Sequence, residues 1–395
     1  MTDPLRYDRA VASENREPMT HVCDLSVVVV NYNSAGFVEA FLHSLWNDPF
    51  TVDGRPGTVE VVIVDNASRR EDHLHLESLR GDRVRLLRNP ENLGYALANN
   101  QGFHITTGRF HLVSNPDVLI QPGCLQALID ALLSGESVGL VGPLATMDPE
   151  GSVYMPPNEL PSPFSESVTT AARYEDAIAR FHVRRRARFA HRYWTATEPF
   201  AMEMLSGGFF MGLRSTLLEH GLFDPAYPLY YEDTDLFRRY LIAGKTLLHV
   251  PQARIVHHFS RSAIPVIKAA LFRNAIGARR YFRKFFGRHG ERTFRLAHER
   301  AESKAADRTC PWPLEELRAG QVPPVLEIPK DENLYLEVSG NPKFSLTVGI
   351  FPPAGSYQFA RGFWEPLPNT SYWVRLASAE TGDTIRAWRI DKCLT

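Results

Sequence analysis

The chain has 395 residues, 44% of them hydrophobic, and a formal net charge of −1. That length accommodates two domains, or one large domain with an appendage, and that apolar fraction supplies a sizeable core and excludes wholesale disorder. The near-zero charge excludes bulk attraction to nucleic acid. The four cysteines, Cys23, Cys124, Cys310 and Cys393, are too scattered for a metal-ligand spacing or a disulfide framework, which fits a reducing cytoplasm.

Residues 1–22 read as a disordered polar segment without the apolar core of a secretory signal. Two β-branched runs follow. Ser26–Val30 leads into Asn31-Tyr32-Asn33, and Val61–Val64 leads into Asp65-Asn66-Ala67-Ser68. Runs of this length read as strands buried on both faces, as in a parallel sheet. In open α/β sheets ligands bind beyond the carboxyl ends of the strands. Asn31, Asn33, Asp65 and Asn66 therefore mark a pocket for a polar ligand such as a nucleotide.

Strands at 25–30, 59–64, 83–88, 110–114 and 138–142, alternating with helices at 35–47, 93–106 and 122–134, predict an α/β sheet. Residues 146–200 read as irregular, then as a basic helical run. A small-residue strand-turn, Ser206 to Gly212, precedes a helix opened by Tyr231-Glu232-Asp233-Thr234-Asp235 and closed near Gly244. A last strand, 252–257, ends in His257-His258. Long basic and aromatic helices are expected over 263–304 and a proline-marked linker over 305–325. A small all-β domain, sandwich-like, is expected over 326–395. In that domain Trp364, Tyr372 and Trp388 sit at strand spacing and read as core rather than as sugar-stacking platforms. No internal repeat is present, and no apolar stretch reaches the ~18–20 residues that span a bilayer. The expectation is a soluble cytoplasmic protein, or one held at the inner face of the membrane.

Several clusters can carry chemistry. Leu112 to Asp117 is a strand ending in a turn, where Pro116 removes backbone freedom and presents Asp117 rigidly. A carboxylate there suits Mg²⁺ or Mn²⁺ beside substrate phosphates. The same pattern fits an Asx-type turn. Glu232, Asp233 and Asp235 at a helix start serve as caps and dipole partners, or one of them takes a proton from a sugar hydroxyl. His257 and His258 point to opposite faces of a strand, so at most one faces a pocket. Imidazole ligates Mn²⁺ more readily than Mg²⁺. The stretch Asn92 to Gly102 starts a helix whose Ala96 and Ala98 read as close helix–sheet packing. It is neither a P-loop nor a dinucleotide fingerprint. Two basic blocks, Arg184/Arg185/Arg186/Arg188/Arg192 and Arg279/Arg280/Arg283/Lys284, read as solvated helix faces or as contacts to an anionic membrane or phosphate-bearing acceptor.

Taken in order, Val28 to Asn33, Val64 to Ser68, Asn92 to Ala96, Asn115-Pro116-Asp117, Ser206 to Phe209, Phe223-Asp224, Tyr231 to Leu236 and His257 to Ser262 resemble the family-2 glycosyltransferases of the GT-A fold, especially their rhamnosyltransferase-like branch. The resemblance covers about 24–290 and leaves 326–395 outside. It implies a GT-A domain over 23–262 and an inverting transfer of a sugar from a dTDP- or UDP-sugar donor to a glycan or lipid-linked acceptor in cell-surface polysaccharide biosynthesis. It places Asn31, Asn33, Asp65, Asn66, Asn92, Gly94, Asn115, Gly207 and Gly208 in the nucleotide-sugar site, with Asp65 facing the base. Asp117 and His257 would hold a divalent metal, Mn²⁺ or Mg²⁺. Asp233 would be the catalytic base, with Glu232 the alternative. Ser262 closes the last matching segment. Peripheral membrane contact and homo-oligomerisation are compatible with this reading.

The chain departs from the family in carrying Asn-Pro-Asp for Asp-x-Asp, Ser260 where glycine is usual, and a second histidine, His258. Two rival readings are weaker. A sugar nucleotidyltransferase needs a glycine-rich basic loop after the first strand, but residues 31–40 hold one glycine and no lysine or arginine. A catalytically inactive glycan-binding scaffold has no use for Asp117 together with the Glu232–Asp235 cluster.

Overall fold

Val27 to Val30 and the run Val61-Val62-Ile63-Val64 are almost completely withdrawn from solvent, as β-branched runs are when helices cover both faces of a parallel sheet. The structure, a computed structural model, describes residues 23–227, 229–258, 267–304, 309–330 and 333–393. The polar segment 1–22, Ser260 and Ser262 lie outside the described residues.

In chain order come β1 (Leu25–Asn31), α1 (Ala35–Trp46), β2 (Thr51–Val52), β3 (Arg55–Pro56), β4 (Val59–Asp65), α2 (Arg70–Ser78), β5 (Val84–Arg88), α3 (Tyr95–Ile105), β6 (Phe110–Ser114), β7 (Val118–Ile120), α4 (Cys124–Leu133) and β8 (Val138–Thr146). Next are β9 (Val153–Tyr154), α5 (Pro163–Ala171), α6 (Asp176–Thr195), β10 (Phe200–Met202), β11 (Phe209–Leu213), α7 (Arg214–His220), α8 (Glu232–Ile242), β12 (Thr246–His257) and α9 (Ile267–Lys304). The chain ends with β13 (Glu315–Ala319), β14 (Val325–Ile328), β15 (Leu334–Ser339), β16 (Val348–Ile350), β17 (Gly355–Gln358), α10 (Arg361–Trp364), β18 (Ser371–Ser378) and β19 (Thr384–Lys392). Two compact units result. Unit 1 runs to Leu144 and then from Glu198 to Tyr281; unit 2 comprises Ala145–Thr197 and the chain from Phe282 onward.

Unit 1 is a mixed sheet in the order β5-β4-β1-β6-β11-β8. The first four strands are parallel, and β11 runs antiparallel to both β6 and β8. The chain order reverses between β4 and β6 around β1, which makes the carboxyl ends of β1 and β6 the topological switch point where such sheets bind ligands. A smaller antiparallel set, β10-β12-β7, carries His257 opposite Val118. Small residues let α3 close on the sheet: Ala96 and Ala98 are buried, and a Cβ on Gly102 would fall 2.5 Å from Val28. Helix α3 starts at Tyr95 rather than at 93 because Gly94 takes a φ of 86°. Helix α2 and strand β7 were not expected. In α2 Leu76 is the one buried residue, so the helix lacks an apolar stripe that its sequence could display.

Unit 2 builds its sheet from β9, β16, β15, β18, β19 and β13, with the pair β14–β17 beside it. Leu326 and Ile328 of that pair share one core with Leu336, Val374, Trp388 and Ile390 of the sheet. Trp364, Tyr372 and Trp388 are buried there, as core residues should be. Strand β13 lies within the stretch expected to be a linker, and α9 is broken at Gly287, where φ is 64°.

Candidate functional site

Two strand ends of unit 1 and the start of α8 are held in strained elbows. Asn33, Ala67 and Tyr231 all adopt positive φ (56°, 65° and 68°), a conformation that non-glycine residues keep only where surrounding structure enforces it. Behind the first elbow, Asn31 is fully buried. Its amide donates to Ser68 Oγ at 2.9 Å, and its oxygen accepts from the Ser34 hydroxyl at 2.8 Å. Asn33 Oδ1 accepts from the Arg69 amide at 2.8 Å. Asp65, also fully buried, accepts from the Ser68 amide at 3.0 Å and meets His73 Nδ1 at 2.9 Å. Asn66 donates to Asn92 Oδ1 and Gly94 O and accepts from Asn89 and from the Leu93 amide. These residues, expected to line a nucleotide site, thus form a continuous polar network that shapes the elbows with their own side chains. His73 and Asp72 were not anticipated. Their signal was the polar stretch after β4.

The second group lies at the ends of β6, β11 and β12 and the start of α8. Asn115 donates its amide to Gly208 O at 2.7 Å. Asp117 is buried, its Oδ1 accepts no hydrogen bond, and His257 Nε2 lies 3.3 Å from that oxygen. Gly207 and Gly208 tie the group together because only glycine fits. A Cβ on Gly208 would fall 2.7 Å from Asn115 Nδ2 and 3.2 Å from His257 Cε1; one on Gly207 would fall 2.4 Å from Asp233 Oδ2. Asp233 Oδ1 accepts from the Thr234 amide at 2.6 Å. Glu232 is buried with Oε2 unsatisfied. Asp235, the remaining acid of the cluster, is a structural anchor: fully buried, it accepts from the Tyr227 hydroxyl at 3.0 Å and pairs with Arg239 at 2.7 Å.

Burial pushes the carboxyl groups of both Glu232 and Asp233 above their ordinary range. The Asp233 charge raises Glu232 further, whereas the Thr234 and Gly207 amides restrain Asp233. Tyr95 stands between the two groups. It follows Gly94 of the first, and its hydroxyl donates to Gly207 O of the second at 3.1 Å.

His257 and His258 divide as strand alternation requires. His257 turns to Asp117, while His258 lines a cavity of about 480 Å³ with Asn33, Phe37, Asp72, Asp117 and Leu119. An unsatisfied carboxylate oxygen beside an imidazole nitrogen is a donor pair that suits Mn²⁺, with substrate oxygens completing its shell. Among the described residues no three His, Cys, Asp or Glu side chains cluster as a self-sufficient metal site.

A family model for glycosyl transferase family 2 matches residues 26–219. Over 251 residues the chain is 32% identical to an N-acetylglucosaminyl-diphospho-decaprenol L-rhamnosyltransferase of Mycobacterium tuberculosis, spanning 60% of this chain and 77% of that protein. Among solved structures, a mannosyltransferase from Pyrobaculum calidifontis in complex with GDP-Man and Mn²⁺ aligns with a TM-score of 0.46 at 19% identity, over 77% of this chain and 80% of that one. GalNAc-T7 with UDP, GalNAc and Mn²⁺ aligns with a TM-score of 0.43 at 16% identity, over 71% and 57%. The match to the rhamnosyltransferase covers most of that enzyme at 32% identity, so the chain belongs to glycosyltransferase family 2, in its rhamnosyltransferase-like branch.

Proposed function

We propose that this chain moves a sugar, rhamnose or a close analogue, from a nucleoside-diphosphate donor onto a hydroxyl of a lipid-linked glycan, inverting the anomeric centre. The observation that carries the reading is the Gly207–Gly208 turn, which touches Asp233 on one side and Asn115 and His257 on the other. It supports an acid at a cation-binding position and an acid at a proton-accepting position facing one reacting centre. Asp117 and His257 are the residues that would hold a divalent cation; when bound, it neutralises charge on the departing diphosphate. Asp233, with its carboxyl shifted toward the affinity of an alcohol's proton, accepts that proton as the acceptor oxygen attacks. A single displacement needs no covalent carboxylate intermediate, unlike a retaining glycosidase.

By its name, the mycobacterial relative acts on a decaprenyl-diphosphate-linked N-acetylglucosamine, and we extend that class of acceptor to this chain. No helix among the described residues is long and apolar enough to cross a membrane. The exposed Arg283, Lys284, Arg288 and Arg292 of α9 support docking on an anionic bilayer surface, where a polyprenyl-linked acceptor resides.

The test is a panel of dTDP- and UDP-sugars, scored by thermal shift and by release of nucleoside diphosphate, with and without Mn²⁺. Ligands that bind the folded state raise Tm. The expected result is a shift with dTDP-rhamnose that depends on Mn²⁺ and is lost in Asp117→Ala. If no donor releases nucleoside diphosphate in the presence of a polyprenyl-diphosphate N-acetylglucosamine acceptor, the proposal fails.

A further inference from the structure

Tyr95 is a polar side chain at the centre of the site that the proposed reaction does not employ. The turn at Gly94 directs its ring across the strand ends against Phe223, with centroids 5.7 Å apart. Its hydroxyl donates to Gly207 O. Gly207 is the residue packed so closely on Asp233 that a Cβ would fall 2.4 Å from both Asp233 Cβ and Oδ2. The Gly207 backbone amide also acts to hold the Asp233 carboxyl down. Burial, and the nearby charges of Glu232, Asp233 and Asp117, keep the phenol far above its usual titration range, so it remains a neutral donor. Phenylalanine could fill the same space against Phe223, but it would leave Gly207 O without this donor.

We infer that Tyr95 is a positioning residue: by anchoring Gly207 it fixes the backbone against which the Asp233 carboxylate is set. The inference rests on Asp233 being the proton acceptor. The titratable groups that act with Asp233 are Glu232 on its own helix and, across the site, Tyr95.

Tyr95→Phe removes the hydroxyl and keeps the ring. With dTDP-rhamnose and a polyprenyl-diphosphate N-acetylglucosamine acceptor, kcat should fall about tenfold with donor KM unchanged. The acid limb of kcat should move to higher pH, because the Gly207 amide that restrains the Asp233 carboxyl is loosened. Unchanged kcat and acid limb would overturn the inference. So would an equal loss in kcat and donor affinity, which marks a general structural prop.

A second measurement needs no substrate. Tm is followed against pH in wild type, Tyr95→Phe, Asp233→Asn and the double variant. Tyr95→Phe should alter the pH dependence in the wild-type background and leave it unaltered where Asp233 no longer titrates. The same change in both backgrounds refutes the coupling. If wild type transfers no sugar yet this coupling persists, the positioning role survives and the proposed function falls.

Discussion

Unit 1 and unit 2 each bury an acid, and the two acids are treated in opposite ways. In unit 1, Glu232 and Asp233 sit side by side, Glu232 with an unsatisfied Oε2, and burial drives both carboxyl groups toward the protonated form. In unit 2, Glu337 is fully buried between Arg186, 2.9 Å away, and Arg375 Nε, 2.5 Å away, with Thr347 donating a further bond at 3.0 Å. Its carboxyl is held below the ordinary range: burial opposes ionisation, but the two guanidinium groups more than offset it. The first arrangement is costly and leaves a carboxylate oxygen unsatisfied; the second gives both Glu337 oxygens donors and leaves the unmet bonds on the guanidinium side, at Arg186 Nε and Arg375 Nη2. Unpartnered buried acid is what proton transfer requires, whereas a paired one joins α6 to β15 and β18 within a fold.

The largest expected effect comes from removing the acid that unit 1 keeps unpaired. Asp233→Asn should cut transfer by about 10²–10⁴-fold while donor-induced thermal shifts persist, since the amide is nearly isosteric. Near wild-type turnover would dissolve the comparison by making the unpaired acid incidental. Second in size is Glu337→Ala, which strands Arg186 and Arg375 in a buried site. Breaking a buried pair in this way costs about 3–5 kcal/mol. Urea unfolding should show it as a lower midpoint, and a variant as stable as wild type would mean that the two arginines find other partners.

That buried triad was not legible in the sequence, and the reason is physical. Glu337 and Arg375 occupy alternate positions of β strands, where charged residues ordinarily face water. Their burial depends on Arg186, about 150 positions earlier, in a helix whose basic block reads as a solvated face; Arg184 and Arg185 are indeed exposed, and only the packing of α6 turns Arg186 inward. By contrast, β1, β4 and β6 were readable because each holds a continuous apolar stretch, as a strand buried on both faces does, even though Ser26, Glu60 and His111 are buried within them. The local settings of Asp117 and Asp233 were readable because Asp117 follows a strand in a proline-marked turn and Asp233 opens a helix. The inward turn of Asn31, Asp65 and Asn66 was missed: short amide and carboxylate side chains at a strand end bond readily to neighbouring backbone amides, and Ser68 and Leu93 supply those amides here. Helix α2 escaped because a helix with one buried residue has no periodic signal, although it carries His73, the partner of Asp65.

The smallest effect is also the one most sensitive to pH. Glu232 has its carboxyl raised from 4.5, so the folded chain binds its proton more tightly than the unfolded chain does. Stability from this group is therefore present in acid and is lost as pH rises above about 4.5 toward the folded value. Glu337 runs the other way: its carboxyl is lowered from 4.5, so its contribution is present above about 4.5 and lost as pH falls. Glu232→Gln removes the first dependence and leaves the second. The variant should gain about 2–4 °C in Tm at pH 8, with a smaller gain at pH 5, while its loss of stability below pH 4 should match wild type. A Tm gain of equal size at both pH values would show that Glu232 destabilises through shape rather than charge, and the contrast between the two acids would then lose its electrostatic basis.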